Sequence, residues 1–232
     1  PPRSTLFPYT TLFRSIRLDV DAEGDGRFEI IQYYENGVLA RLEHDSDGDG
    51  RMDEQDFFKN GRRVRSEKKD RQCRLTSRIV FDDQERPLTW ERDLSGKGRL
   101  DAEYRYSEGC LVEVSRDLSG DGRPDQTVFY DDRGRMTKSA HDLDKDGRME
   151  TVRFYENEVP IREERDLSGD GRPEILVEYS QGETSLQKMD SDGDGRFEVL
   201  IRFDNGRPVS REEDLDLDGR ADRVSRLDAD GR

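Results

Sequence analysis

The feature that most restricts the fold of this chain is a nine-residue phrase, written DSDGDGRFE in its fullest form, that returns every 23 to 25 residues. Copies begin at Asp21, Asp45, Asp93, Asp117, Asp142, Asp166, Asp190 and Asp214, and a divergent copy, DRQCRLTSR, begins at Asp70. So regular a period makes one phrase plus its spacer the structural unit. Units of this length bury their apolar face against neighbouring units and not in separate domains.

The spacers have a grammar of their own. Each phrase is followed by a short run rich in Val, Ile, Tyr and Phe, such as EILVEY at 174–179 or FEVLIRF at 197–203, which reads as strand. An aromatic closes the run at Tyr34, Phe58, Tyr106, Tyr130, Tyr155, Tyr179 and Phe203. A turn comes next: ENG at 35–37, KNG at 59–61, SEG at 107–109, DRG at 132–134, SQG at 180–182 and DNG at 204–206. Asn-Gly between strand-like runs signals a two-residue hairpin, because both turn residues need positive φ. A second, more polar strand leads into the next phrase. The expectation is an all-β, elongated antiparallel β-hairpin array, an open solenoid or meander of about 24 residues per repeat, with the acidic phrase joining successive hairpins. Two strands per unit advance such an array by about 10 Å, so the aromatics should form a ladder at that interval, as core packing and not as a ligand site.

Only 30% of the residues are hydrophobic and 41% are charged, too little apolar material for a thick core. The formal net charge of −15 excludes nucleic acid as a natural partner and favours cations. Cys73 and Cys110 provide no disulfide framework; they are expected at opposite edges of the sheet, with a link between chains left open. No apolar run approaches the length of a membrane span. Residues 1–15 stand outside the repeat, and TLFPYTTLFRS at 5–15 reads like a sequencing adapter translated in one frame. The repeat region is therefore taken as 16–232, about nine units, broken at both ends and ending in the partial copy LDADGR at 227–232.

The phrase itself has the chemistry of a cation loop. In DSDGDGRFE, carboxylates stand at positions one, three, five and nine: Asp190, Asp192, Asp194 and Glu198. Calcium takes six to eight oxygens. Three monodentate aspartates, the carbonyl of Arg196 and a bidentate Glu198 supply six, with Gly195 at the sharp bend. The same set recurs, with the carbonyl donor fourth in each case, as Asp21, Glu23, Asp25, Arg27 and Glu29; Asp45, Asp47, Asp49, Arg51 and Asp53; Asp117, Ser119, Asp121, Arg123 and Asp125; Asp142, Asp144, Asp146, Arg148 and Glu150; Asp166, Ser168, Asp170, Arg172 and Glu174; and Asp214, Asp216, Asp218, Arg220 and Asp222. Seven divalent ions would bring about fourteen positive charges against the net −15. No acid recurs at position twelve and no helical pattern flanks the loops, so this is not an EF-hand. The loops with Ser119 or Ser168 at position three should bind more weakly. At position five, Lys97 replaces the acid, as Arg74 does in the divergent copy; either a tethered charge stands in for the ion beside Asp93 and Asp101, or the sites have decayed. The arginine at position seven either bridges carboxylates of an adjacent loop or is solvated.

The phrase resembles the nine-residue calcium loop of integrin-type (FG-GAP) β-propeller repeats and, more loosely, the calcium segments of thrombospondin type 3 repeats. The tyrosine and Asn-Gly hairpins resemble MORN-type and RHS/YD repeats, which build extended antiparallel sheets. The resemblance covers residues 16–232 motif by motif, and implies calcium at the four acidic positions and the position-seven carbonyl of each loop. Propeller repeats run to four strands per loop, whereas this chain allows two, which favours the linear array.

No catalytic constellation is present. His44 and His141 each precede a loop, Trp90 stands alone in a second strand, and there is no phosphate loop or zinc spacing. The expectation is a non-enzymatic, extracellular or cell-surface structural protein stabilised by calcium, part of a bacterial adhesin, matrix or filament, with copies of itself and surface polysaccharide as partners. Two alternatives stand beside it: a shell segment of a larger RHS-like secreted toxin or enzyme, and a calcium-dependent carbohydrate-binding module.

Overall fold

Alternating runs of strand formers between left-handed turns give strands and nothing else. The computed structural model describes residues 15–227, and these form eighteen strands and no helix. The leading segment and the last partial copy lie outside the described residues. The chain divides into two units, 1–111 and 112–232, with the division inside one strand.

The first unit contains β1 (Ser15–Val20), β2 (Ile30–Glu35), β3 (Val38–His44), β4 (Glu54–Lys59), β5 (Arg62–Lys69), β6 (Leu75–Phe81), β7 (Pro87–Arg92), β8 (Ala102–Ser107) and the start of β9 (Cys110–Arg116). The second continues with β10 (Gln126–Tyr130), β11 (Met136–His141), β12 (Thr151–Glu156), β13 (Val159–Arg165), β14 (Ile175–Ser180), β15 (Glu183–Met189), β16 (Val199–Asp204), β17 (Arg207–Glu213) and β18 (Arg223–Arg226). Pairing is antiparallel between strands consecutive in sequence, from β1 with β2 in the first unit to β17 with β18 in the second, in an open sheet. The expected all-β hairpin array is thus the observed architecture, two strands per repeat, with the acidic loops along one edge and the tight turns along the other. No described helix is long and apolar enough to cross a membrane.

Two-residue turns have the positive φ values that Asn-Gly implies: 51° and 80° at Asn36 and Gly37, 49° and 72° at Asn205 and Gly206. The turn at Asn157 and Glu158 does the same without glycine. The closing aromatic sits at a β-bulge, where register shifts between Tyr33 and Tyr34, Phe57 and Phe58, Phe154 and Tyr155, and Glu178 and Tyr179. A bulge beside each tight turn adds twist to the hairpin.

Three connections depart from the expectation. DRG at 132–134 is not a two-residue turn but the middle of a five-residue one: Asp131 Oδ1 accepts the N–H groups of Arg133 and Arg135, and Arg135 Nε donates back to Asp131 Oδ2 at 2.9 Å. Asp82 and Arg86 close the same turn between β6 and β7. So do Asp70 and Arg74, whose Nε donates to Asp70 Oδ2 at 2.7 Å. The divergent copy is therefore a short turn between β5 and β6, with β6 starting at Leu75, and not a worn nine-residue loop. Its arginine clasps Asp70 as Arg86 and Arg135 clasp Asp82 and Asp131, in a turn with no nine-residue loop around it.

Among the described residues only seven hydrophobic side chains are buried against twelve polar or charged ones, so backbone ladders and polar contacts hold these strands more than a core does. The deepest side chain is Glu163, fully buried on β13 between Arg153 and Arg165, with Tyr179 donating to it at 3.2 Å. Burial alone would raise its carboxyl, but the two guanidinium groups outweigh that and hold it below the usual range. Trp90 packs on Tyr104 with ring centroids 5.3 Å apart and donates to Ser77. Cys73 and Cys110 are free and exposed, one in a turn on the loop edge and one beginning β9 on the other.

Candidate metal centres on the loop edge

Each acidic loop is folded by its own carboxylates. In the Asp190 loop, Asp190 Oδ1 accepts the N–H of Gly193 at 2.7 Å and Oδ2 that of Gly195 at 2.8 Å. Asp192 Oδ1 accepts the N–H of Asp194, and Asp194 Oδ1 that of Arg196 at 2.8 Å. Glu198 reaches back across the loop to take the N–H of Ser191 on Oε2 at 2.6 Å. The same pattern recurs in the loops starting at Asp21, Asp45, Asp142 and Asp166. Position four lies in the left-handed region even where it is not glycine, with φ of 66° at Lys145 and 58° at Leu217.

This wiring leaves spare oxygens together. Asp142, Asp144, Asp146 and Glu150 each present one oxygen, all within 4.8 Å of one another, and so do Asp190, Asp192, Asp194 and Glu198. Asp21, Asp25 and Glu29 form a smaller group, as do Asp166, Asp170 and Glu174, and Asp45, Asp47 and Asp49. Positions one and nine are the inner ones: Asp45, Asp101, Asp125, Asp142, Glu150, Asp190 and Glu198 are all buried. Glu150 Oε1 and Glu198 Oε1 are buried without a hydrogen-bond partner, and so is Asp214 Oδ1 in the loop where Leu217 occupies position four. An ionised oxygen withdrawn from water and left unmatched is costly. The donors around these atoms are all hard oxygens, a set that suits a calcium-like cation and offers nothing to zinc, which favours nitrogen and sulfur.

The ninth position is not uniform. In the four loops with glutamate there, Glu29, Glu150, Glu174 and Glu198 belong to the cluster. Asp53 does not: its Oδ1 takes the Ser46 N–H and its Oδ2 the Ser46 hydroxyl, both at 2.6 Å, with Lys68 Nζ 3.8 Å away. Asp101 spends both oxygens on Leu94 and Ser95, and Asp125 Oδ2 accepts from both Leu118 and Ser119. For Asp101 and Asp125 burial acts upward, but the Ser95 hydroxyl with the Leu94 and Ser95 N–H groups at the first, and the Ser119 and Leu118 N–H groups with the Ser119 hydroxyl at the second, outweigh it and hold both carboxyls below the ordinary 3.8. The expected bidentate clamp at position nine becomes a division of labour in the glutamate loops, Oε2 for the backbone and Oε1 spare.

At position three the Ser119 hydroxyl lies 3.4 Å from the Asp121 nitrogen and the Ser168 hydroxyl 3.5 Å from Asp166 Oδ1, close to where an aspartate oxygen would be. The Lys97 ammonium does not take the place of an ion. It forms no ion pair with Asp93 or Asp101, and only the Lys97 N–H reaches Asp93 Oδ1, at 3.1 Å. The flexible side chain turns to solvent because both Asp101 oxygens are already engaged. Three of the position-seven arginines reach a backbone carbonyl of the next connection: Arg51 Nη1 reaches Arg71 O at 3.1 Å, Arg123 Nη1 reaches Asp146 O at 2.8 Å and Arg148 Nη1 reaches Gly169 O at 3.4 Å.

Sequence reasoning missed Arg71, whose Nε lies 3.3 Å from Asp47 Oδ2 and 3.9 Å from Asp49 Oδ2. The signal was the period itself, since Arg71 stands 24 residues beyond Asp47. His44 lies 3.9 Å from Glu54, and His141, whose imidazole burial and Arg153 push below the ordinary 6.5, contacts Ser139.

No family model matches the chain, and no curated protein does. Among solved structures, a porin-like protein from Bacteroides uniformis aligns over 88% of this chain and 90% of its own, at 13% identity and a TM-score of 0.17, too low to indicate a shared fold.

Proposed function

We propose that this is a calcium-stabilised structural repeat protein of the cell exterior, with its acidic loops as the calcium sites. The observation that carries the reading is the pair of buried, unpartnered oxygens, Glu150 Oε1 and Glu198 Oε1, each grouped with three further carboxylates within 4.8 Å. In the ion-free loop they carry a desolvation cost that a divalent cation offsets. Calcium fits better than magnesium, because a flexible ring of protein oxygens suits a large ion, whereas magnesium demands a tight octahedron and keeps its water. The ligands are the carboxylates of positions one, three and five, with Ser119 and Ser168 offering a hydroxyl at position three, the position-seven carbonyl and, in the glutamate loops, the position-nine carboxylate. Bound calcium then acts as folding energy, cross-linking turns that the thin apolar interior holds poorly.

Millimolar calcium outside cells fills many modest sites at once, which favours an adhesin, matrix or filament setting and association with further copies of the chain. A carbohydrate-binding module is less well supported, because aromatic rings that would form a sugar platform carry guanidinium groups: Arg41 lies 4.0 Å over Tyr33 and Arg65 4.0 Å over Phe57. The test is thermal unfolding in millimolar calcium and in excess chelator. A site filled at a hundredfold its dissociation constant adds about 2.7 kcal/mol, so chelation should lower the melting temperature sharply. An unchanged melting temperature and circular dichroism spectrum would contradict the proposal. Electron microscopy of the same two samples reports on self-association.

A further inference from the structure

We propose that the position-seven arginines couple successive loops of the second unit, so that calcium fills the Asp117, Asp142, Asp166 and Asp190 loops cooperatively; this rests on the calcium reading above. Three junctions in a row bring a position-seven arginine against a glycine of the next loop, at position six for Gly147 and Gly195 and at position four for Gly169. Arg123 Nη1 donates to the Asp146 carbonyl at 2.8 Å, Arg148 Nη1 to the Gly169 carbonyl at 3.4 Å, and Arg172 lies over Gly195. A Cβ at Gly147 would stand 2.4 Å from Arg123 Nη1, one at Gly169 1.8 Å from Arg148 Nη1, and one at Gly195 3.1 Å from Arg172 Nη1. The guanidinium of one loop therefore occupies the space that any side chain at the next loop's glycine would need.

The gripped glycines are the ones that hold the next loop's first ligand. Gly147 donates to Asp142 Oδ2 at 2.8 Å, Gly169 to Asp166 Oδ1 at 2.7 Å and Gly195 to Asp190 Oδ2 at 2.8 Å. Upstream, Arg148 is also tied to a ligand of its own loop, since its Nε donates to Asp146 Oδ2 at 2.8 Å. One guanidinium is thus shared between a carboxylate of loop 142 and the backbone of loop 166. A cation entering loop 142 competes for Asp146. As that carboxylate turns to the ion, Arg148 keeps the Gly169 carbonyl as its partner and firms the turn that presents Asp166. At the junction of loops 142 and 166 the shared guanidinium is the element whose balance both sites bias, which is what coupling requires; at the other two junctions the arginine's approach to the next loop's glycine is the link. The next junction shows no such approach at either position: nothing lies within 4 Å of a Cβ at Gly219, and position four is Leu217 and not glycine, so loop 214 should fill independently.

The experiment is a calcium titration of the full chain against a competing chelating indicator, comparing wild type with the triple variant R123Q/R148Q/R172Q and the single variant R148K, each checked for fold by circular dichroism. The expected wild-type isotherm is steeper than independent sites allow, with coupling of about fivefold per junction. The triple variant should bind the same number of ions without cooperativity. R148K keeps the charge but loses the two-ended fork, so it should weaken cooperativity even if the triple variant fails to fold. A non-cooperative wild type, or cooperativity untouched in the variants, overturns the coupling and leaves the calcium sites standing. A wild type that takes up no calcium overturns the calcium reading itself.

Discussion

The loops DSDGDGRMD at 45–53 and DSDGDGRFE at 190–198 differ only at their last two positions, yet their ninth carboxylates behave differently. Both begin alike, with the first aspartate accepting from both glycines. Asp53 is one methylene shorter than Glu198 and folds onto Ser46, using both oxygens on its N–H and hydroxyl. Glu198 crosses the loop, satisfies the Ser191 N–H with Oε2 and leaves Oε1 buried and free. Loop 45 also receives a rival cation, since Arg71 lies against Asp47 and Asp49. The fourth acid thus keeps an oxygen spare at Glu198, as at Glu150, and clasps its own loop at Asp53.

The largest effect should come from exchanging the two ninth residues. Glu198→Asp should lower calcium affinity at its loop by about tenfold or more, near 1.4 kcal/mol, while Asp53→Glu raises that of loop 45 by a similar factor. Site-resolved NMR titration of the aspartate carboxyl carbons measures both, and equal affinities before and after the swap would erase the distinction. A smaller gain is expected from Arg71→Gln. Its side chain is mostly exposed, and surface pairs contribute about 0.2–1 kcal/mol, so affinity at loop 45 should rise by no more than about fivefold. A fall would mean that Arg71 shapes the site and does not compete for it.

Acid gives the smallest and most local effect. Burial pushes the Asp53 carboxyl up, but the Ser46 donors and Lys68 outweigh it, and the net position is below the ordinary 3.8. A carboxyl lower in the folded than in the unfolded chain stabilises the fold above the unfolded value, and this is lost as pH falls through the folded one. In calcium-free buffer, Asp53→Asn should therefore cost stability at pH 6 and progressively less below about pH 4, read from denaturation midpoints. A constant difference across that range would mean that Asp53 clasps Ser46 without its charge.

Much of this was legible because it is local and repeated. Period, strand runs and Asn-Gly turns specify hairpins through backbone sterics alone, and alternate acids around Gly-rich bends specify which carboxylates share a loop. What escaped depends on reach. The 70–78 copy looked like a worn loop because aspartate, arginine and spacing matched, but Arg74 closes a five-residue turn on Asp70, as Arg86 and Arg135 do on Asp82 and Asp131. Arg51, Arg123 and Arg148 found carbonyls, and Arg71 found carboxylates, because long side chains choose among partners one repeat away that no local pattern ranks. Glu163 escaped for a related reason: its partners Arg153 and Tyr179 sit on the two strands flanking its own, and only the register brings them together.

The central claim is that the loops bind calcium, and native mass spectrometry of the full chain across a calcium series tests it most directly. The account expects discrete uptake of about seven ions with none at the Lys97 loop, and loss of one ion each, at concentrations that saturate wild type, in Glu150→Gln and Glu198→Gln. A chain that stays ion-free in millimolar calcium, or adds ions without saturating, would contradict it.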